Sequence, residues 1–167
     1  MLRRFVTLML LLAASVTFAQ EREIPGILPK PSEIKPGNAN SRFEFTKDTR
    51  IIYKLEDVQA KSAAEELNRI AKEIFGKKLK KSTKVIGDNN VIFKFDNSLP
   101  AEGYILDITP ENIIIKAKDG AGAFYAVQTL KQTIPVQAYE TPIDLEKASL
   151  PTMKATDAPH FPNRGVM

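Results

Sequence analysis

The 167-residue chain has no cysteine, no tryptophan and a single histidine, His160. Without cysteine there is no disulfide framework, no lipobox for lipid attachment and no thiolate metal centre. One histidine cannot make a zinc site unless carboxylates supply the rest, and neither an HExxH run nor a Ser/His/Asp constellation can be drawn. His160, beside Pro159, is therefore read as a packing or surface residue. Neither GxGxxG nor GxxxxGK[ST] is present, which removes the common nucleotide cradles. With only four tyrosines, the chain is poorly supplied with planar rings for sugar stacking. No cofactor and no metal is expected.

Long apolar runs are lacking too, with one exception. Residues 1–19, MLRRFVTLMLLLAASVTFA, place Arg3 and Arg4 before an uncharged run that ends in small residues. This is the layout of a secretory signal peptide, and the run is shorter than the roughly 20 residues a spanning helix needs. Cleavage after Ala19 would leave Gln20 as the new terminus of an exported protein, periplasmic or extracellular, with no membrane span. It would also leave 22 basic against 20 acidic residues. The formal charge of +4 and the pI of 9.2 are then no nucleic-acid signature. The lysine-rich run Lys77, Lys78, Lys80, Lys81 and Lys84 has no interleaved aromatic and follows a helix end, so it reads as a solvated loop. No nucleic-acid partner is expected.

What is present is organised around residues 103–132, GYILDITPENIIIKAKDGAGAFYAVQTLKQ. Tyr104, Leu106 and Ile108 alternate with Ile105, Asp107 and Thr109; Ile113, Ile115 and Ala117 alternate with Ile114, Lys116 and Lys118. This period of two gives two strands with one buried face each. Between them Thr109, Pro110, Glu111 and Asn112 predict an antiparallel hairpin turn, Asn112 being tolerant of positive φ. Asp119 is a good N-cap for a helix whose apolar stripe is Ala123, Phe124, Val127 and Leu130. Gly120 and Gly122 in its first turn mark a close approach of backbone, either to a ligand anion or to a packed neighbour. With no nucleotide motif nearby, packing is the better reading.

The elements before and after complete the pattern. Residues 21–42 are a proline-rich lead-in in which Ile27, Leu28, Pro29, Lys30 and Pro31 dock as an irregular strand. Strands are predicted at 42–46 and 50–53, joined by a turn at 46–49. Residues 57–75 predict a long amphipathic helix with Ala60, Ala63, Ala64, Leu67, Ile70, Ala71 and Ile74 on one side, and Gly76 is placed to end it. Residues 91–95 are another strand. After Pro135 the text is irregular, 140–147 reads as a polar surface loop, and 152–156 as an edge strand. The fold class is α+β: a two-layer sandwich of a mostly antiparallel sheet covered by two helices.

The ending, DAPHFPNRGVM, resembles the entry into the catalytic barrel of the family 20 glycoside hydrolases, the β-N-acetylhexosaminidases, which read approximately D-x-P-R-F-x-x-R-G-x-M-x-D there. The early ILPKP, the 103–132 block and the Leu150, Pro151 pair resemble the accessory N-terminal domain that precedes that barrel. The family 84 O-GlcNAc hydrolases carry a similar domain and R-G-V entry; Met167 points to family 20.

The resemblance implies three segments: signal peptide 1–19, accessory domain 20–150, and 151–167 as linker plus the first strand of a (β/α)8 barrel, so that the chain is expected to be truncated before the barrel. It implies that Arg164 binds hydroxyls of a terminal β-linked N-acetylhexosamine, a task suited to a guanidinium fork. His160 stands where the family often has arginine. The family's substrate-assisted reaction uses an Asp-Glu dipeptide, and none occurs in these 167 residues. No catalytic residue is therefore expected here. Two other readings stay open: a free-standing carbohydrate-binding module, and a structural or interaction domain of the envelope.

Overall fold

A computed structural model describes residues 26–54, 57–140 and 145–159. The proposed leader, His160 and Arg164 lie outside them. In chain order the elements are β1 (Glu33–Pro36), β2 (Arg42–Thr46), β3 (Arg50–Ile52), α1 (Val58–Phe75), β4 (Lys80–Ser82), β5 (Asn90–Phe95), β6 (Tyr104–Ile108), β7 (Asn112–Ala117), α2 (Gly120–Thr133), α3 (Gln137–Glu140), β8 (Lys147–Pro151) and β9 (Met153–Asp157). Seven strands form the main sheet in the order β1-β9-β6-β7-β5-β3-β4, and β2 pairs with β8 in a separate two-stranded sheet.

The fold class is α+β as the pattern predicted, with a mixed main sheet. From β1 to β7 the pairings are antiparallel; from β7 through β5 and β3 to β4 they are parallel. The parallel half follows from α1, which connects β3 to β4 as a helical crossover. β5, at the centre of that half, is buried on both faces at Asn90, Val91, Ile92 and Phe93, as a covered parallel strand should be.

Register aligns the buried side chains into rows. Met153, Ile108, Ile113, Val91 and Ile51 lie side by side across five strands, and Ala155, Leu106, Ile115 and Phe93 form the next row. All nine are buried. The helices cover this side: Thr129 of α2 shares a 2.6 Å hydrogen bond with the Tyr104 hydroxyl of β6, and α1 packs along α2. Every predicted apolar position of α1 is buried, and Gly76 ends it in the left-handed region at φ 66, its N–H donating to the Lys72 carbonyl at 3.0 Å.

The hairpin forms as predicted, with Tyr104 opposite Ala117 and Ile108 opposite Ile113. Its turn uses other chemistry than expected. Asn112 does not take positive φ; it starts β7, and its Oδ1 accepts from the backbone N–H and the side-chain amide of Asn90 at 3.1 and 2.8 Å. The Thr109 hydroxyl closes the turn, donating to the Asn112 carbonyl at 3.0 Å and accepting from its N–H at 3.1 Å.

Other expectations change. The turn at 46–49 exists, Thr49 N–H donating to the Thr46 carbonyl at 3.1 Å, but β2 and β3 leave it for different sheets. Phe43 and Phe45 of β2, with Ala148 and Leu150 of β8, form the buried face of the small sheet, and the Phe45 ring meets Phe75 of α1 at 5.3 Å. In the lead-in Ile27 is buried while Leu28 is 77% exposed, and the strand that forms there is β1, downstream. The lysine run is not all loop: Lys80 and Lys81 belong to β4, which pairs with β3. In α2 the buried stripe is Ala123, Ala126, Val127 and Leu130; Phe124 is only half-buried. Strand 152–156, expected at an edge, runs as β9 between β1 and β6. Residues 151–157, assigned from the sequence to the linker, thus lie within the two sheets.

Candidate functional site

A cleft of about 420 Å³ opens where the described chain ends. One wall is α2. Tyr125, Gln128, Thr129 and Gln132 stand three, four and seven residues apart, a polar stripe on the helix beside its buried apolar one. Tyr104 of β6 and Asp157 of β9 form the floor, and Pro29, Lys30, Ala158 and Pro159 the rim.

Hydrogen bonds fix these walls. The Asp157 carboxylate accepts from the Ser32 N–H at 3.1 Å and its hydroxyl at 2.7 Å, and the Gln132 amide oxygen accepts from Leu28 N–H at 2.8 Å. At the far end Glu102 holds a left-handed conformation, φ 58, which costs a residue with a side chain of order 1 kcal/mol. Asp119 compensates. One of its oxygens accepts from Gly122 N–H at 2.9 Å, capping α2, while the other accepts from Glu102 N–H at 2.9 Å. The predicted cap is thus also the anchor of the cleft.

The two glycines of that turn meet protein. A Cβ at Gly122 would lie 2.5 Å from the Gly103 carbonyl oxygen, and one at Gly120 3.0 Å from the Gln59 carbonyl oxygen of α1. Close packing fills the place a ligand anion would need.

Burial pushes the Tyr104 hydroxyl above the usual tyrosine range, so it stays a neutral hydrogen-bonding group. Within α1, Arg69 donates to Glu66 from Nε at 2.8 Å and from its terminal amino group at 2.6 Å, and Gln128 of α2 adds a bond across the helix pair at 3.1 Å. Chiefly through the Arg69 bonds, the Glu66 carboxyl is lowered to about 2. Tyr139 of α3 is pushed up to about 12 by burial, helped by the Glu73 charge, and its buried hydroxyl has no hydrogen-bond partner among the described residues.

Amide, hydroxyl and carboxylate groups of this kind can hold a polar surface or a sugar. Among the described residues no three histidine, aspartate or glutamate side chains gather as a metal site, and no helix is long and apolar enough to cross a membrane. Arg164 lies outside the described residues, and the sequence had named Pro29, Lys30 and Tyr104 for packing or strand formation but none of the cleft residues as a site. The stripe at 125, 128, 129 and 132 was the available signal, but polar residues on a helix ordinarily mean solvent.

Comparison with known proteins gives one consistent result. Residues 24–158 match the model for glycosyl hydrolase family 20, domain 2. A beta-hexosaminidase of Porphyromonas gingivalis is 30% identical over 152 residues, covering 84% of this chain and 18% of that protein. N,N'-diacetylchitobiase of Vibrio harveyi is 40% identical over 74 residues, covering 44% of this chain and 8% of that protein. Among solved structures, a mutant Streptomyces plicatus beta-hexosaminidase in complex with the product GlcNAc superposes with a TM-score of 0.67 at 25% identity, over 84% of this chain and 27% of that one. The chain thus spans less than a third of the length of each relative.

Proposed function

The chain belongs to glycosyl hydrolase family 20, as its domain 2, and from that membership we propose that it is the non-catalytic N-terminal domain of an exported β-N-acetylhexosaminidase. The whole protein would remove terminal, non-reducing N-acetylhexosamine residues from β-N-acetylhexosaminides, with its catalytic groups on a barrel joined to this domain. The observation that carries this reading is the family match over 24–158, which takes in every element of both sheets. The cleft suits the second half of the proposal. Its rim includes Ala158 and Pro159, where the chain leaves β9, so a barrel attached there would meet the Tyr125, Gln128 and Gln132 wall. Arg164 then lies in the junction and donates to sugar hydroxyls at the barrel mouth. Export rests on residues 1–19.

Expression of the whole reading frame from its source tests this. The product is expected to release nitrophenol from 4-nitrophenyl N-acetyl-β-glucosaminide or galactosaminide and to begin at Gln20 by mass spectrometry, while residues 20–167 alone release none. In the whole product Arg164→Lys should raise KM about tenfold, because an ammonium lacks the guanidinium's fixed pair of donors. A whole product inert on both substrates, or hydrolysis by residues 20–167 alone, overturns the proposal.

A further inference from the structure

The lysines after α1 are displayed from a fixed frame. Glu65, Asn68, Arg69 and Lys72 stand three, four and seven residues apart on α1 and form one wall of a groove of about 470 Å³; Lys78, Leu79 and Lys81 form the other. Asn68 ties the walls together. It is 4% exposed and its Oδ1 accepts from Leu79 N–H at 2.7 Å, while the Leu79 side chain is itself buried. Lys78 and Lys81 therefore flank a pinned residue, and the Lys81 ammonium sits 5.9 Å from the centre of the Tyr53 ring.

The charges of this groove are unevenly matched. Arg69 is engaged by Glu66 and, at 3.6 Å, by Glu73. Among the described residues Lys72, Lys78 and Lys81 have no ion-pair partner, and the only carboxylate lining the groove is Glu65. Two structural roles for lysines here account for only part of this. Complementing the carbonyl end of α1 acts within its last turn and so covers Lys72. Guarding the outer edge of β4 against strand pairing would engage Lys80 equally, and Lys80 does not line the groove.

We propose that this groove binds an acidic glycan, a sulfated or uronate-bearing polysaccharide whose anions are spaced along a linear chain. Among the described residues no aromatic side chain lines it, so they offer no platform for nucleic-acid bases. Among the described lining residues Leu79 is the one large apolar side chain and is buried, so these residues present nothing to insert into a lipid surface. The choice of a glycan among polyanions rests on the hexosaminidase reading; the arrangement of charge does not. The groove would hold an acidic hexosamine polymer on the same protein that is proposed to trim it.

The test is titration of the whole protein with a heparin-derived octasaccharide at several salt concentrations, read by calorimetry and kept separate from hydrolysis. Binding is expected to weaken with salt and to fall about tenfold in Lys78→Ser/Lys81→Ser, and several-fold in Lys72→Ser, as lost contacts between exposed charges would give. Lys80→Ser/Lys84→Ser, which removes the same charge outside the groove, should stay within about twofold. Circular dichroism melts verify folding, and the Lys72 variant on the helix keeps the test open if the strand variant misfolds. Absence of binding, equal losses in the two double variants, or equal affinity for an oligothymidylate of the same charge overturns the proposal. So does self-association of the Lys78/Lys81 variant with its glycan binding unchanged.

Discussion

Glu66 shows how one side chain joins two helices. Its carboxylate takes both bonds of the Arg69 fork within α1 and a third from Gln128 of α2. Its folded pKa, about 2, lies below the ordinary 4.5, so the stability it contributes is whole above pH 4.5 and is lost as pH falls towards 2. The Arg69 side chain is 56% exposed, so solvent screens the pair and the contribution is modest. Glu66→Gln is expected to lose about 1 kcal/mol at pH 7 in urea unfolding, and the difference should shrink as pH falls from 4.5 and vanish below pH 2. A loss that stays constant with pH would mean packing and not charge. The sequence does not reveal this bridge, because an i, i+3 Arg partner is common on exposed helices and nothing local announces Gln128 across the gap.

At the scale of elements, the α2 N-terminus is where local chemistry and packing coincide. Asp119, Gly120 and Gly122 were legible as a cap and a close approach, and the structure supplies the neighbour: the Gly103 carbonyl, 2.5 Å from a Cβ at Gly122. Gly122→Ala is expected to cost about 2–3 kcal/mol, since the obstruction is backbone that must itself shift. Gly26→Ala, with nothing within 4 Å of its Cβ, should cost nothing measurable in the same urea titration. The alternation of the hairpin and the 3.6-residue period of α1 were legible for the same reason: each is written within a few residues. The Thr109–Asn112 turn was located but its bonding was not, because Asn112 is bound by Asn90 of the neighbouring parallel strand.

Across the whole molecule the sheet is closed by its last strand. β9 lies between β1 and β6, with Ala155 beside both Ile34 and Leu106. A chain ended after Leu150 would leave β6 with an open edge and β1 with no partner in the sheet. It is expected to lose cooperative unfolding by circular dichroism, whereas a chain ended after Pro159 keeps it. Cooperative melting of the shorter chain would remove β9 from the folding unit.

By itself the sequence determined the strand and helix periods, the Asp119 cap, the Gly76 stop, the α+β class and the resemblance to family 20, all properties of contiguous residues. Tertiary structure alone decided that β2 leaves β3 for β8, that β9 is an inner strand and that the lysine run makes one wall of a groove. The pairings of β2 with β8 and of β1 with β9 join residues about a hundred positions apart, such as Phe43 with Leu150 and Ile34 with Ala155. A period of two says which face of a strand is buried, but it is the same whichever neighbour completes the row; only the competition among all strands for the apolar side chains of the core selects the partner.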